Sequence, residues 1–328
     1  MFWKMNSQNN LPLKNKWVSD LTWVISSPSL LENQKGTNKS LILGTKWHEA
    51  RYNESIQWLC DLDEDPTPLN EWMDSSKDKR IGSLFERLIT FWLKFGPGPL
   101  RLIKNGLQII ENKHTLGELD FIVFNEEENE FWSIEVAVKF YIGVNKSYEM
   151  KDFVGPRVMD TLRRKWNHLI EKQSRLHKNP VAQKAILNLT EGRQVIPKIY
   201  IKGRLFVPFE IFQKHSTNQI PLALEQDYSG LCGGWWMTPE KADAYFKKSQ
   251  VCELNKSFYF SPISEALFEK SDSPFKQEFD FNRIFHDEKN IPRLIAVADK
   301  TSGVEESRGW IVPSGWPDCI EEIEADER

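Results

Sequence analysis

The stretch that most constrains this 328-residue chain is residues 131–142. In a β-strand, alternate side chains face opposite ways. One face here carries Trp132, Ile134, Val136, Val138, Phe140 and Ile142. The other carries Ser133, Glu135, Ala137, Lys139 and Tyr141. The first face is uniformly apolar and predicts burial. The second sets a Glu and a Lys in mid-strand, where a buried charge is costly unless it is paired or bound to metal.

The strand before it, residues 117–124, repeats the pattern. Glu118 and Asp120 share one face, and Leu119, Phe121 and Val123 share the other. A hairpin symmetric about the acidic loop 125–130 sets Phe124 opposite Phe131, Ile122 opposite Ser133 and Asp120 opposite Glu135. Directly opposed residues have Cβ atoms only ~5 Å apart, and like charges there repel. Such a pair suits a divalent cation, because Mg²⁺ takes one or two carboxylates and completes its shell with water and substrate phosphate. The alternative is a slipped register or a solvated sheet face.

Around this hairpin the helical period marks residues 17–31, 47–60 and 78–95 as helices. Residues 61–68 are acidic, carry Pro66 and Pro68, and read as a linker. Gly96-Pro97-Gly98-Pro99 stops the third helix, and a short strand follows at 107–111. Residues 160–176 predict a helix with Asp160 as N-cap. Strands are expected at 195–207, 293–298 and 309–312. Thr238-Pro239 opens a short helix, Gly233-Gly234-Trp235-Trp236 reads as a turn, and residues 321–327 form an acidic tail. The fold class expected is α/β. It comprises an N-terminal helical region (1–77) packed on a core (78–207), then a C-terminal α/β extension (208–328).

A net charge of −4 argues against a surface coated in basic residues for non-specific nucleic-acid binding. Cys60, Cys232, Cys252 and Cys319 are far apart and predict reduced thiols rather than a disulfide framework or a zinc site. The polar N-terminus predicts no signal peptide. No apolar run approaches the ~18 residues of a membrane span, so a cytoplasmic location with no membrane partner is expected. The basic charge gathers at residues 151–178, with eight basic residues against three acidic ones. Within it Leu162, Trp166, Leu169, Gln173 and Leu176 form one stripe. Arg164, His168, Lys172 and Arg175 lie towards another face, suited to phosphate contacts. Gln173 on the apolar stripe reads either as pointing at the site or as a hydrogen-bonded core amide. His114 reads as a plain loop residue, the alternative being a substrate contact, and Glu86 flanks its helix stripe and reads as exposed.

Gly117-Glu118-Leu119-Asp120-Phe121-Ile122, followed by Ile134-Glu135-Val136-Ala137-Val138-Lys139, resembles the PD-(D/E)XK (restriction-endonuclease-like) nuclease superfamily. The wider chain looks like a bacterial domain-of-unknown-function family in that superfamily, numbered eighteen fifty-three. The supporting pieces include Asp20–Trp23, Ser27–Leu31, Gly82–Leu88 and Arg308–Pro313. The resemblance implies a core of helix, three antiparallel strands, helix and a further strand. It implies that Asp120 and Glu135 bind Mg²⁺ or Mn²⁺, that Glu86 adds a carboxylate, and that Lys139 holds the attacking water. Glu118 joins the catalytic candidates as the acid of the G-E-x-D opening.

One departure stands out. Such nucleases usually carry their Lys two residues after the acid, whereas Glu135 and Lys139 are four apart, or ~13 Å along an extended strand. A bulge or a reach back along the strand would close the gap. The expected function is a Mg²⁺-dependent nuclease acting on DNA. The alternative is an inactive nuclease-like scaffold that binds nucleic acid or protein. Ionisable residues on the central strands disfavour a purely structural role.

Overall fold

The computed structural model describes residues 11–32, 41–144, 149–216, 233–264, 267, 274–276, 278–285, 291–299 and 303–316. Cys232, Cys319 and the acidic tail 321–327 lie outside them. The fold is α/β, with helices flanking one large mixed sheet.

Four helices come first: α1 (Lys16–Ser26), α2 (Thr45–Glu64), α3 (Thr67–Asp74) and α4 (Ile81–Phe95). The expected linker at 61–68 is instead the last turn of α2 and the start of α3. Pro68 sits in the first turn of α3, where its missing N–H is no loss. α1 ends at Ser26, ahead of the Ser27-Pro28 break.

Next come β1 (Leu100–Glu111), β2 (His114–Asn125) and β3 (Glu130–Gly143), consecutive and antiparallel. β1 is far longer than the segment 107–111 that its sequence suggested. It is an edge strand with only Leu100 and Ile109 buried, so most of its length carries no apolar alternation. His114 opens β2 opposite Glu111 instead of lying in a loop.

After the two-residue strand β4 (Phe153–Val154) come α5 (Leu162–Glu171) and α6 (Pro180–Leu189), with a 3₁₀ turn at Gln173–Lys178 between them. The N-cap of α5 is Thr161, whose side chain accepts from the Arg164 N–H, and not Asp160. β5 (Val195–Pro208) then runs parallel to β3, paired without a break from Phe131↔Val195 to Ile142↔Phe206. Gly203 makes this ladder possible, because a Cβ there would collide with the Lys139 carbonyl oxygen.

The sheet continues past residue 207. After α7 (Phe209–Ser216), Gly234-Trp235-Trp236-Met237 forms strand β6, where a turn was expected, parallel to both β5 and β9 (Glu305–Ile311). α8 (Pro239–Phe246), β7 (Gln250–Glu253) and β8 (Arg293–Ala298) complete it. Among the described residues the order is β1-β2-β3-β5-β6-β9-β8-β7, with β4 on β3.

The alternation of β3 decides what covers each face. Trp132, Ile134, Val136, Val138, Phe140 and Ile142 pack with α1, α2 and α4 in one core. Ala137 and Tyr141 pack on the opposite face with Leu162 and Leu169 of α5. The N-terminal helices, central strands and C-terminal extension are tied by buried polar contacts to one short segment. Asp20 of α1 accepts from the Ser261 N–H and hydroxyl. Arg204 of β5 donates to the Phe260 carbonyl, and Arg308 of β9 to those of Tyr259 and Ser261.

Candidate functional site

The hairpin register pairs Phe124 with Phe131 and Ile122 with Ser133, and the ladder ends at Phe121↔Ile134. One residue further, the Asp120 carboxylate accepts the Val136 N–H at 2.9 Å, where a backbone carbonyl would otherwise sit. This contact brings Asp120 beside Glu135, and the charge of Asp120 disfavours ionisation of Glu135.

Glu135 is 1% exposed. Its Oε2 accepts from the Gln173 side-chain nitrogen at 3.3 Å, and its Oε1 has no partner among the described residues. Burial raises the pKa of both carboxyls, and Asp120 adds its charge to the rise at Glu135. The strand pattern that buries Val136 and Ile134 towards the helices turns Glu135 to the α5 face.

The cation acting on this pair is Lys165, a residue outside the expected set. Leu162 and Leu169 are buried, so α5 presses its intervening turn onto the sheet. Lys165 Nζ donates to the Gln173 side-chain oxygen at 3.0 Å, and its charge favours ionisation of Asp120 and Glu135. Its own pKa is lowered, first by burial and then by Lys139. Gln173 therefore joins Lys165 to Glu135, and of its two expected readings the one that points it at the site is met. A close approach positions it: a Cβ on Gly117 would meet Leu176 at 2.8 Å, so Gly117 lets the 3₁₀ turn rest on β2.

Lys139 is engaged elsewhere. Its Nζ donates to Asp160 at 2.8 Å, and the same carboxylate oxygen accepts from the Tyr141 hydroxyl at 2.9 Å. The unbroken β3–β5 ladder leaves no bulge to shorten the distance from Glu135. Asp160 is thus a partner for β3 rather than a helix cap.

Glu86 of α4 and Glu118 of β2 lie at the outer side of the pair, and both are solvent-exposed. The Glu86 carboxyl is nevertheless pushed up to about 7, first by the protein around it, then by the charges of Asp120 and Glu118. Arg164, His168, Lys172 and Arg175 are exposed on α5 and its following turn. Among the described residues none of the three Lys and Arg side chains has an ion-pair partner, and His168 Nδ1 lies 3.1 Å from the Gln173 oxygen.

Among the described residues no group of three or more His, Cys, Asp and Glu side chains is close enough to hold a metal ion. Asp120 and Glu135 are the two carboxyls that could take part in holding a hard cation. The pair offers two abutting carboxyls, one with an oxygen lacking any donor, and Mg²⁺ fills its remaining positions with water and phosphate oxygens.

Among the described residues no helix is long and apolar enough to cross a membrane. A family model described as Domain of unknown function (DUF1853) matches residues 19–312. No curated protein and no solved structure matches the chain.

Proposed function

The chain belongs to the DUF1853 family, and from the geometry of its carboxyl pair we propose that it is a divalent-metal-dependent phosphodiesterase acting on DNA. The observation that carries this reading is the buried Asp120–Glu135 pair, with Glu135 Oε1 left without a partner among the described residues. As a purely structural arrangement, two abutting carboxyls in a sheet cost stability through desolvation and repulsion. The order helix α4, antiparallel β1-β2-β3, helix α5 and parallel β5 supports a nuclease-like core of the PD-(D/E)XK type.

In this reading Asp120 and Glu135 hold the metal, and Glu86 and Glu118 add negative charge at its solvent side. A bound Mg²⁺ or Mn²⁺ supplies a polarised phosphoryl oxygen and a water of lowered pKa. Lys165 takes the role that the motif gave to Lys139. Its ammonium, half-buried beside the pair, stabilises negative charge developing on the phosphate. Gln173 fixes Glu135 and Lys165 relative to one another. Arg164, His168, Lys172 and Arg175 meet the DNA backbone and set its position without reading its sequence.

The test is cleavage of single-stranded, duplex and branched DNA with Mg²⁺ or Mn²⁺ and with EDTA. Metal-dependent cleavage that disappears in Asp120→Asn and Glu135→Gln is the expected result. A binding scaffold without catalysis is the second reading, favoured by the commitment of Lys139 to Asp160. DNA binding with no cleavage of any form would select it.

A further inference from the structure

A cavity of about 660 Å³ lies beyond the Lys139–Asp160 ion pair, between the end of β3 and the C-terminal extension. This is within the range of small-molecule sites. Its lining joins β3, the loop 155–160, the segments around 253–259 and 291–294, and Trp310 of β9.

The walls combine two chemistries. Tyr259 is half-buried, with Phe140 at 5.6 Å and Trp310 at 5.8 Å between ring centroids. Phe140 and Trp310 are buried and back Tyr259, whose ring offers the aromatic wall to a flat ligand. The charges are unbalanced towards positive. Lys139 pairs with Asp160, and Arg293 with Glu253 at 3.6 Å. Arg157 and Lys256 are exposed at the rim and have no ion-pair partner among the described residues. A ligand that matches both is an aromatic ring carrying a phosphate.

We propose that this cavity is a nucleotide subsite, which takes one unstacked base of the substrate strand against Tyr259 and its phosphate against Arg157 and Lys256. The assignment rests on the phosphodiesterase reading of the neighbouring carboxyls, since it names the strand those carboxyls would cut. The geometry links the two. Lys139 and Asp160 line the cavity, their charges act on Lys165 beside the carboxyl pair, and Lys139 stands ~13 Å along β3 from Glu135. That is about four steps of a stacked strand at ~3.4 Å each. Base–aromatic stacking is tolerant of sequence, so the subsite favours single-stranded or frayed DNA without a base preference.

The test is binding of deoxyadenosine 5′-monophosphate to the full chain in EDTA, followed by calorimetry, beside deoxyribose 5-phosphate as a probe without a base. The nucleotide is expected to bind roughly tenfold tighter than the sugar phosphate. Arg157→Ala combined with Lys256→Ala, both exposed positions, should weaken it at least about tenfold. Glu135→Gln should bind it like the wild type, whether or not it cleaves. The nucleotide should also displace a short single-stranded oligonucleotide. Failure of the nucleotide to bind, equal binding of both probes, or no effect of the double variant would overturn the subsite. Binding without displacement of the oligonucleotide would make it a site for a free nucleotide and overturn the assignment to the substrate strand. If no DNA is cleaved but binding and displacement occur as stated, the phosphodiesterase reading fails and the subsite stands.

Discussion

Asp120 accepts the Val136 N–H at 2.9 Å, one residue past the last backbone pair of the β2–β3 ladder. A side chain thus takes the place of a backbone acceptor on a buried strand. Asp120→Asn keeps an oxygen for this N–H and removes a desolvated charge beside Glu135, so its stability without metal should hold or rise. Asp120→Ala leaves the N–H unsatisfied and should cost about 1–3 kcal/mol. Urea unfolding of the two variants in EDTA separates these outcomes, and equal destabilisation of both would contradict them.

The carboxyl pair makes stability fall with pH. The Glu135 pKa is raised in the folded chain to about 8, by burial and by Asp120, against ~4.3 for an unperturbed Glu. The stability of the protonated form is therefore fully present below ~4.3 and is lost as pH rises through about 8. Melting temperature in EDTA should decline over that window by roughly 2–4 °C for each kcal/mol of stability removed. Glu135→Gln should flatten the decline, and so should Mg²⁺ in the wild type. An unchanged slope in Glu135→Gln would show that other groups set it.

The two lysines should separate in kinetics. Lys165→Met keeps the apolar stem that packs under α5 and removes the ammonium beside the pair. Its cleavage rate should drop by roughly 10²–10³-fold, as for removal of one transition-state donor. Lys139→Met breaks the ion pair with Asp160 and should leave that rate within about tenfold. Single-turnover rates at saturating DNA test this, and the reverse order would return the role to Lys139.

Docking should respond to other residues. Arg164→Ala with Arg175→Ala should weaken DNA binding, and the slope of log affinity against log salt should shrink by about 0.9 for each phosphate no longer neutralised. Binding titrations at several salt concentrations in EDTA measure it. An unchanged slope would mean that α5 presents its exposed side to solvent alone.

Much of this arrangement was legible in the sequence, because side chains of a strand alternate between its faces and one face of β3 is wholly apolar. The opposite faces of β3 and the symmetric hairpin register follow from residues 117–142 alone. The length of β1 was not legible, since an exposed edge strand needs no alternation. Lys165 was obscured for a different reason. It flanks the apolar stripe of α5, three residues after Leu162 and four before Leu169, so the helical period already sets it near the buried face. Which strand residue it meets depends on how α5 docks, and docking is a tertiary property. Asp160 was misread because Asp next to a helix start is an ordinary cap, and the adjacent Thr161 performs that task. The engagement of Lys139 with Asp160 joins positions separated by 21 residues that no local pattern relates.

The central claim is that Asp120 and Glu135 jointly hold a divalent cation, and anomalous diffraction from crystals of the full chain grown with Mn²⁺ tests it most directly. The account predicts an anomalous peak bounded by one oxygen from each carboxylate, at metal–oxygen distances near ~2.1 Å, and absent in Glu135→Gln. No peak between Asp120 and Glu135 at saturating Mn²⁺, or a peak that survives in Glu135→Gln, would contradict it.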